Sequence, residues 1–226
     1  MPRPDIQGDA ARAFDVLHQG GAAILPMDVG YSLIGGSEAA LKRIFQTKGR
    51  APDKLNAMLG DMVLHQEIHR TDQRGREIVE AITLDYDLPL GAIAPADMDH
   101  PMLTALTPGA RTASTKGDTV LMLLNAGAFQ AELTRLSRDA VHPLFGSSAN
   151  KTLSGTKFRV EDIEPEIRAV ADITIDYGLR KWYPYRASST LIHLDTLEVI
   201  RFGSCYELIV DILDRDFGVT LPPRPE

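Results

Sequence analysis

Short apolar runs alternate along this chain with amphipathic stretches of helical period, and that alternation limits the possible folds more than any single motif. The runs 22–26, 56–59, 89–94, 119–124, 143–146, 172–176 and 189–194 are strand-like, with 197–201 as a further candidate. Helical patterns cover 61–70, 73–83, 126–139 and 161–171. Asp9 caps a first helix that carries Ala10, Phe14 and Leu17 on one face, and Gly20-Gly21 stops it. Ser37 opens a second helix, EAALKRIFQTK, with Ala40, Leu41 and Ile44 inward. The intervening DVGYSLIGG is turn-rich. A last helix starts near Tyr206 and ends at Gly218, and residues 219–226 are expected to be a loose tail. No repeat or linker-like break interrupts the pattern, so one α/β domain over residues 1–226, built on a mixed sheet, is expected.

Charge and cysteine content narrow the function. The 226 residues carry 24 Lys+Arg against 31 Asp+Glu, a net charge of −7. Such a balance argues against a wholesale electrostatic grip on nucleic acid, while leaving room for a local basic groove. Cys205 is the single cysteine, which excludes an intrachain disulfide and a cysteine-based zinc site. The start, MPRPDIQGDA, has no signal-like apolar core, and the run Val120 to Leu124 is too short to span a bilayer. A cytoplasmic protein without a membrane partner is expected.

Four segments carry groups suited to chemistry. In 48-KGRAPDK-54, Lys48, Arg50 and Lys54 place three cations in a loop just past a helix, a charge set suited to a polyanion such as triphosphate. The plain alternative is a helix C-terminus that attracts a lysine through its dipole. In 145-FGSSANKTLSGT-156, hydroxyl and amide groups sit between glycines, which suits close backbone approach to an anion or a helix-capping turn. It lacks the second glycine of a serine nucleophile elbow. In 65-HQEIH-69, two histidines share a helix face, but the glutamate is misplaced for a zinc-protease motif, and a pair on a partly exposed helix is expected. Finally, 181-KWYPYR-186 precedes 188-SSTL-191 and 200-IRFG-203; its aromatics suit either base stacking or an amphipathic surface.

Taken in order, these segments resemble the YrdC domain family, whose known enzymes are threonylcarbamoyl-adenylate synthases. The resemblance runs from about residue 20 to 203. The family's P-T-D-T-x-Y-G-L turn stands here as 26-PMDVGYSL-33, and its K-G-R-P-x-x-K-P-L loop as 48-KGRAPDKLN-56. Its S-A-N-x-S-G loop is 148-SANKTLSG-155, longer by two residues. Its P-S-T-[IV] strand matches 188-SSTL-191, and its I-x-R-x-G ending is close to 200-IRFG-203.

The resemblance implies a single YrdC-like α/β domain, a twisted mixed sheet flanked by helices with a concave, locally basic site. It implies a reaction that joins ATP, bicarbonate and L-threonine into threonylcarbamoyl-AMP, releasing pyrophosphate, for tRNA-modification proteins to use. Lys48 and Arg50 would neutralise the phosphates, with Lys54 beside them. Ser148, Asn150, Ser189 and Arg201 would contact the nucleotide, and Asp28, Tyr31 and Ser32 would border the acceptor pocket. Mg²⁺ would ride on the phosphates, held by ATP and water rather than by protein ligands.

This chain also departs from the pattern. Met27 and Val29 replace the two threonines of the first turn. The central-strand arginine of the family's V-R-x-P stretch falls on Leu123 or Leu124, so a more apolar pocket is expected. These changes leave the acceptor open. They also leave two alternatives: an RNA-binding module, or a synthase of carbamoyl-AMP from carbamoyl phosphate.

Overall fold

The computed structural model describes residues 3–49 and 54–225, and within them the expected alternation closes into one ten-stranded mixed sheet. Its strands are β1 (Ala22–Met27), β2 (Gly30–Gly35), β3 (Ala57–Leu59), β4 (Leu90–Pro95) and β5 (Thr115–Lys116), then β6 (Thr119–Leu124), β7 (Phe145–Ser148), β8 (Ile173–Thr174), β9 (Thr190–His193) and β10 (Glu198–Arg201). They are ordered β10-β9-β4-β6-β3-β7-β2-β1-β8, with β5 paired to β6. The β4–β9, β3–β6 and β1–β8 pairs are parallel, as crossover connections require. Around them lie α1 (Ile6–His18), α2 (Glu38–Lys48), α3 (Met62–Ile68), α4 (Gln73–Glu80), α5 (Pro101–Thr104), α6 (Pro108–Thr112), α7 (Ala128–Asp139), α8 (Pro165–Arg168) and α9 (Tyr206–Phe217). No helix among the described residues is long and apolar enough to cross a membrane.

Helix α2 occupies the stretch expected from Ser37, whose hydroxyl accepts from the Ala40 amide, and Gly49 ends it in the left-handed conformation. Helix α1 starts earlier than expected, because Asp5 rather than Asp9 caps it. The larger correction is β2, where turn residues suggested a loop. A two-residue connection, Asp28-Val29, folds Gly30–Gly35 back onto β1, and each residue of the strand is buried. The tail is also tied down: Leu221 joins the core, and the Arg224 guanidinium donates to the Gly203 carbonyl at 2.8 Å.

The two faces of the sheet are covered unequally, and this inequality positions the site. On one face, Tyr31 and Leu33 pack with Ala40 and Ile44 of α2. Further along the same face, Met58, Met122 and Phe145 join Ile78, Ile209 and Leu213 in the largest cluster. On the other face, α1 and α7 cover the β1–β2 end through Leu17, Phe129 and Leu133. Trp182 packs against both this cluster and the largest one, so it is a wedge between cores rather than an open stacking platform.

His65 and His69 are not on an exposed helix face but inside the largest core, at 0% and 3% exposure. Their Nδ1 atoms lie 2.9 Å apart, and His69 Nε2 lies 3.2 Å from the Val120 carbonyl. His69 therefore donates through Nε2 and accepts at Nδ1 from His65, so both rings are neutral. Among the described residues no third His, Cys, Asp or Glu completes a metal-binding group with them.

Burial holds both rings well below the usual imidazole value, with Arg76 adding to the effect on His65 and His65 to that on His69. The unfolded chain takes up protons below about pH 6.5 that the folded chain refuses, so stability falls as pH falls. Between pH 7 and pH 5 the pair is expected to cost about 4 kcal/mol of folding free energy. Urea unfolding at both pH values, compared with the His65→Leu/His69→Leu double variant, measures this; equal slopes would refute it.

Candidate functional site

The part of the second face that α1 and α7 leave uncovered, over β3, β6, β4 and β9, is the floor of a cavity of about 210 Å³. Alternation along each strand sets which side chains reach it. Val120, Met122 and Leu124 go to the core on the far side, while Leu121 and Leu123 enter the cavity. Leu59, Ala57 and Leu191 join them, with Ile34 and Ser32 at the β2 end and Gly91 and Gly146 between. Of Leu123 and Leu124, Leu123 takes the floor position at the end of the central strand and Leu124 packs into the core.

At the β7 end, two loops lock together. Lys48, the last residue of α2, is 5% exposed, and its ammonium donates to the Ser148 carbonyl. In return the Thr152 hydroxyl donates to the Lys48 carbonyl at 2.8 Å, and the Thr152 amide approaches the same oxygen at 3.2 Å. The Ser148 hydroxyl donates to Asn150 Oδ1, and Asn150 Nδ2 donates to the Lys151 carbonyl at 2.6 Å. Thr152 and Leu153 fall in the stretch that holds the two extra residues. Thr152 fastens the serine-asparagine loop to the end of α2, while Leu153 stands on the cavity lip at 93% exposure.

At the other end, Arg201 reaches back across the β9–β10 pair. Its Nε and Nη2 donate to the Ser189 carbonyl at 2.9 and 2.8 Å, and Nη2 lies 3.2 Å from the Ser189 hydroxyl. A β-bulge between Val199 and Arg201 sets Arg201 opposite Leu191, so the guanidinium borders the floor.

Of the residues singled out from sequence, Ser32, Lys48, Lys54, Ser148, Asn150, Ser189 and Arg201 line this one cavity. Arg50 lies outside the described residues. Tyr31 and Asp28 do not border the cavity. Tyr31 points to the opposite face of β2 from Ser32 and is fully buried. Its hydroxyl lies 2.8 Å from Asp176 Oδ1 and 2.9 Å from the Gly178 carbonyl, and accepts from the Tyr177 amide. Burial, then Asp176, pushes its phenol pKa upward.

Asp28 is held 2.9 Å from Arg180 Nη2 and packs so close to Gly127 that a Cβ there would meet its carboxyl carbon at 2.5 Å. Burial raises its carboxyl pKa against the pull of Arg180. It thus sits at the start of α7, where the helix dipole favours a carboxylate. The sequence pointed to one leucine of the floor, at 123 or 124, but not to Leu59, Leu121 or Leu191, nor to Thr152. TVLMLL is apolar from Val120 onward, so only strand register separates floor from core there, and nothing local marks Thr152.

No Asp or Glu lines the cavity among the described residues. Cations at its ends and hydroxyls at its rim suit an anion, and oppose a free cation. The oxygens it offers a metal are hydroxyls, amides and carbonyls, which fits a magnesium ion bound chiefly through phosphates and water.

No protein-family model matches the chain, and no curated protein matches it. Its fold is similar to that of a hypothetical protein from Streptococcus mutans UA159, with a TM-score of 0.77, 19% identity and 92% of each chain covered. P. abyssi Sua5, solved in complex with L-threonine, gives a TM-score of 0.74 at 19% identity over 98% of this chain and 61% of Sua5. E. coli YciO gives 0.68 at 18% identity, over 90% of this chain and 91% of YciO.

Proposed function

We propose that this protein, a YrdC-like domain by fold, makes a carbamoyl-type adenylate from ATP, bicarbonate and an amino acid. One observation carries the reading. Three segments far apart in sequence bring Lys48, Lys54 and Arg201, with Ser148, Asn150 and Ser189, around a single cavity that no carboxylate lines among the described residues. The Sua5 structure with L-threonine supports an amino acid as co-substrate.

The chemistry asks little of the protein beyond placement. The amine and bicarbonate condense to a carbamate with loss of water. A carbamate oxygen then attacks the α-phosphorus of ATP, forming a new P–O bond as the bond to pyrophosphate breaks. Lys48 and Lys54 would neutralise charge on the leaving pyrophosphate, and Arg201 would hold the far end of the ligand. Magnesium, when bound with ATP, would supply further neutralisation of phosphate charge. The adenylate would pass to proteins that modify tRNA, with the cytoplasm as the setting.

The test is pyrophosphate release from ATP with bicarbonate and each amino acid in turn. Release that needs both bicarbonate and one class of amino acid is expected; release with none of them would refute the synthase. A second reading, an RNA-binding module, draws on a separate depression lined by Lys157, Arg159, Tyr183 and Arg186. Salt-sensitive binding of structured RNA, with no pyrophosphate release in any arm, would favour that alternative.

A further inference from the structure

We propose that the middle of the cavity seats an aliphatic group, and that the amino acid joined there belongs to the valine and isoleucine class rather than the hydroxylated class. The inference rests on the adenylating reading above and deepens it.

Strand register aligns the side chains of the floor. Leu59 pairs with Leu123, Leu123 with Gly91, and Gly91 with Leu191. Residues opposite one another share a face, so three leucines stand in a row across four strands, about 14 Å long at the usual strand spacing. Gly91 interrupts the row, and Leu191 leans over it: a Cβ on Gly91 would lie 1.9 Å from Leu191 Cδ2. Leu191 therefore fills the space over Gly91, and the row presents a continuous aliphatic surface.

The polar groups stand at the two ends of this row. Lys48 and Ser148 lie at the β7 end, and Ser189 and Arg201 lie at the β9–β10 end. The hydroxyls of Ser148 and Thr152 already donate within the protein, at the first of these ends. A ligand hydroxyl laid on the leucine row would surrender its water bonds without a partner, which is costly. Behind the row, Leu59 and Leu123 merge with the cluster that contains Met27 and Val29, themselves 0% and 2% exposed.

One further apolar side chain, Leu153, lines the cavity. It lies on the lip at 93% exposure with φ 67°, a left-handed conformation that a leucine adopts at a cost of about 1 kcal/mol or more. Closing this side chain over an aliphatic ligand would remove two apolar surfaces from water at once.

The experiment compares pyrophosphate release at saturating ATP and bicarbonate with L-valine, L-isoleucine, L-threonine and L-serine. A kcat/KM for valine about 10- to 100-fold above that for threonine is expected, the range an apolar pocket achieves against a hydroxyl isostere. Threonine equal to or better than valine would overturn the inference and leave the synthase standing. Release with no amino acid would overturn both. Leu123→Thr separates the remaining possibility, adenine on the leucine row. A narrowed valine preference with an unchanged KM for ATP supports the inference. A raised KM for ATP with an unchanged preference overturns it.

Discussion

Replacing Lys48 with methionine is expected to lower pyrophosphate release from ATP by about 100- to 1000-fold, the loss typical when one preorganised charge-stabilising donor is removed. The geometry makes the expectation sharp. Lys48 is nearly buried, on the last turn of α2, with its ammonium on the Ser148 carbonyl at the edge of the cavity. Burying an ammonium costs several kcal/mol of desolvation, so this position is an expensive place for a charge that serves packing alone. Methionine keeps the length and apolar stem of the side chain.

The Ser148 carbonyl retains a backbone donor in that variant, the Asn150 amide at 3.0 Å, and Thr152 still fastens the loop through the Lys48 carbonyl. Activity is therefore expected to fall by a much larger factor than the folding equilibrium constant. The two readouts are pyrophosphate release and urea unfolding on the same protein. Activity within threefold of the parent would show that Lys48 is a brace for the loop and not a phosphate ligand.

The contrast between α2 and the loop it holds shows what the sequence discloses. Helix α2 was legible because its determinants are local: Ser37 at one end, Gly49 at the other, and an apolar stripe of Ala40, Leu41 and Ile44 between. The members of the cavity were legible as motifs in order, with Ser32, Lys48, Lys54, Ser148, Asn150, Ser189 and Arg201 brought together. What depends on register was not. Tyr31 and Ser32 are adjacent in sequence and diverge by a whole sheet face, which only the pairing of β2 with β1 and β7 decides. The clasp between Thr152 and Lys48 joins residues 104 positions apart, so no local pattern announces it. The burial of His65 and His69 has the same origin, since core packing around α3 overrides the exposure that polar residues suggest.

Gly203→Ala is expected to destabilise the protein by about 3 kcal/mol, at the upper end of overpacking costs. A Cβ on this glycine would stand 2.3 Å from the Ser188 carbonyl oxygen and 2.3 Å from the Ser189 carbonyl carbon. Both contacts are backbone, so no side-chain rotation relieves them. Relief requires the segment after β10 to move away from the start of β9. That movement strains the Gly203 amide bond to Thr190 Oγ1 at 3.2 Å and the Ser204 amide bond to the Ser188 carbonyl at 2.7 Å. It also displaces the Ser189 carbonyl on which two nitrogens of Arg201 converge.

Stability and ligand affinity should therefore fall together, with a raised KM for ATP accompanying the lower urea midpoint. Gly155→Ala is the control. It has φ 79° but nothing within 4 Å of a Cβ, so it carries only the conformational cost of about 1 kcal/mol. If Gly203→Ala proved no worse than this control, the contact between the two strand ends would be too soft to position Arg201, and the anion-binding role of that end of the cavity would have to rest on other groups.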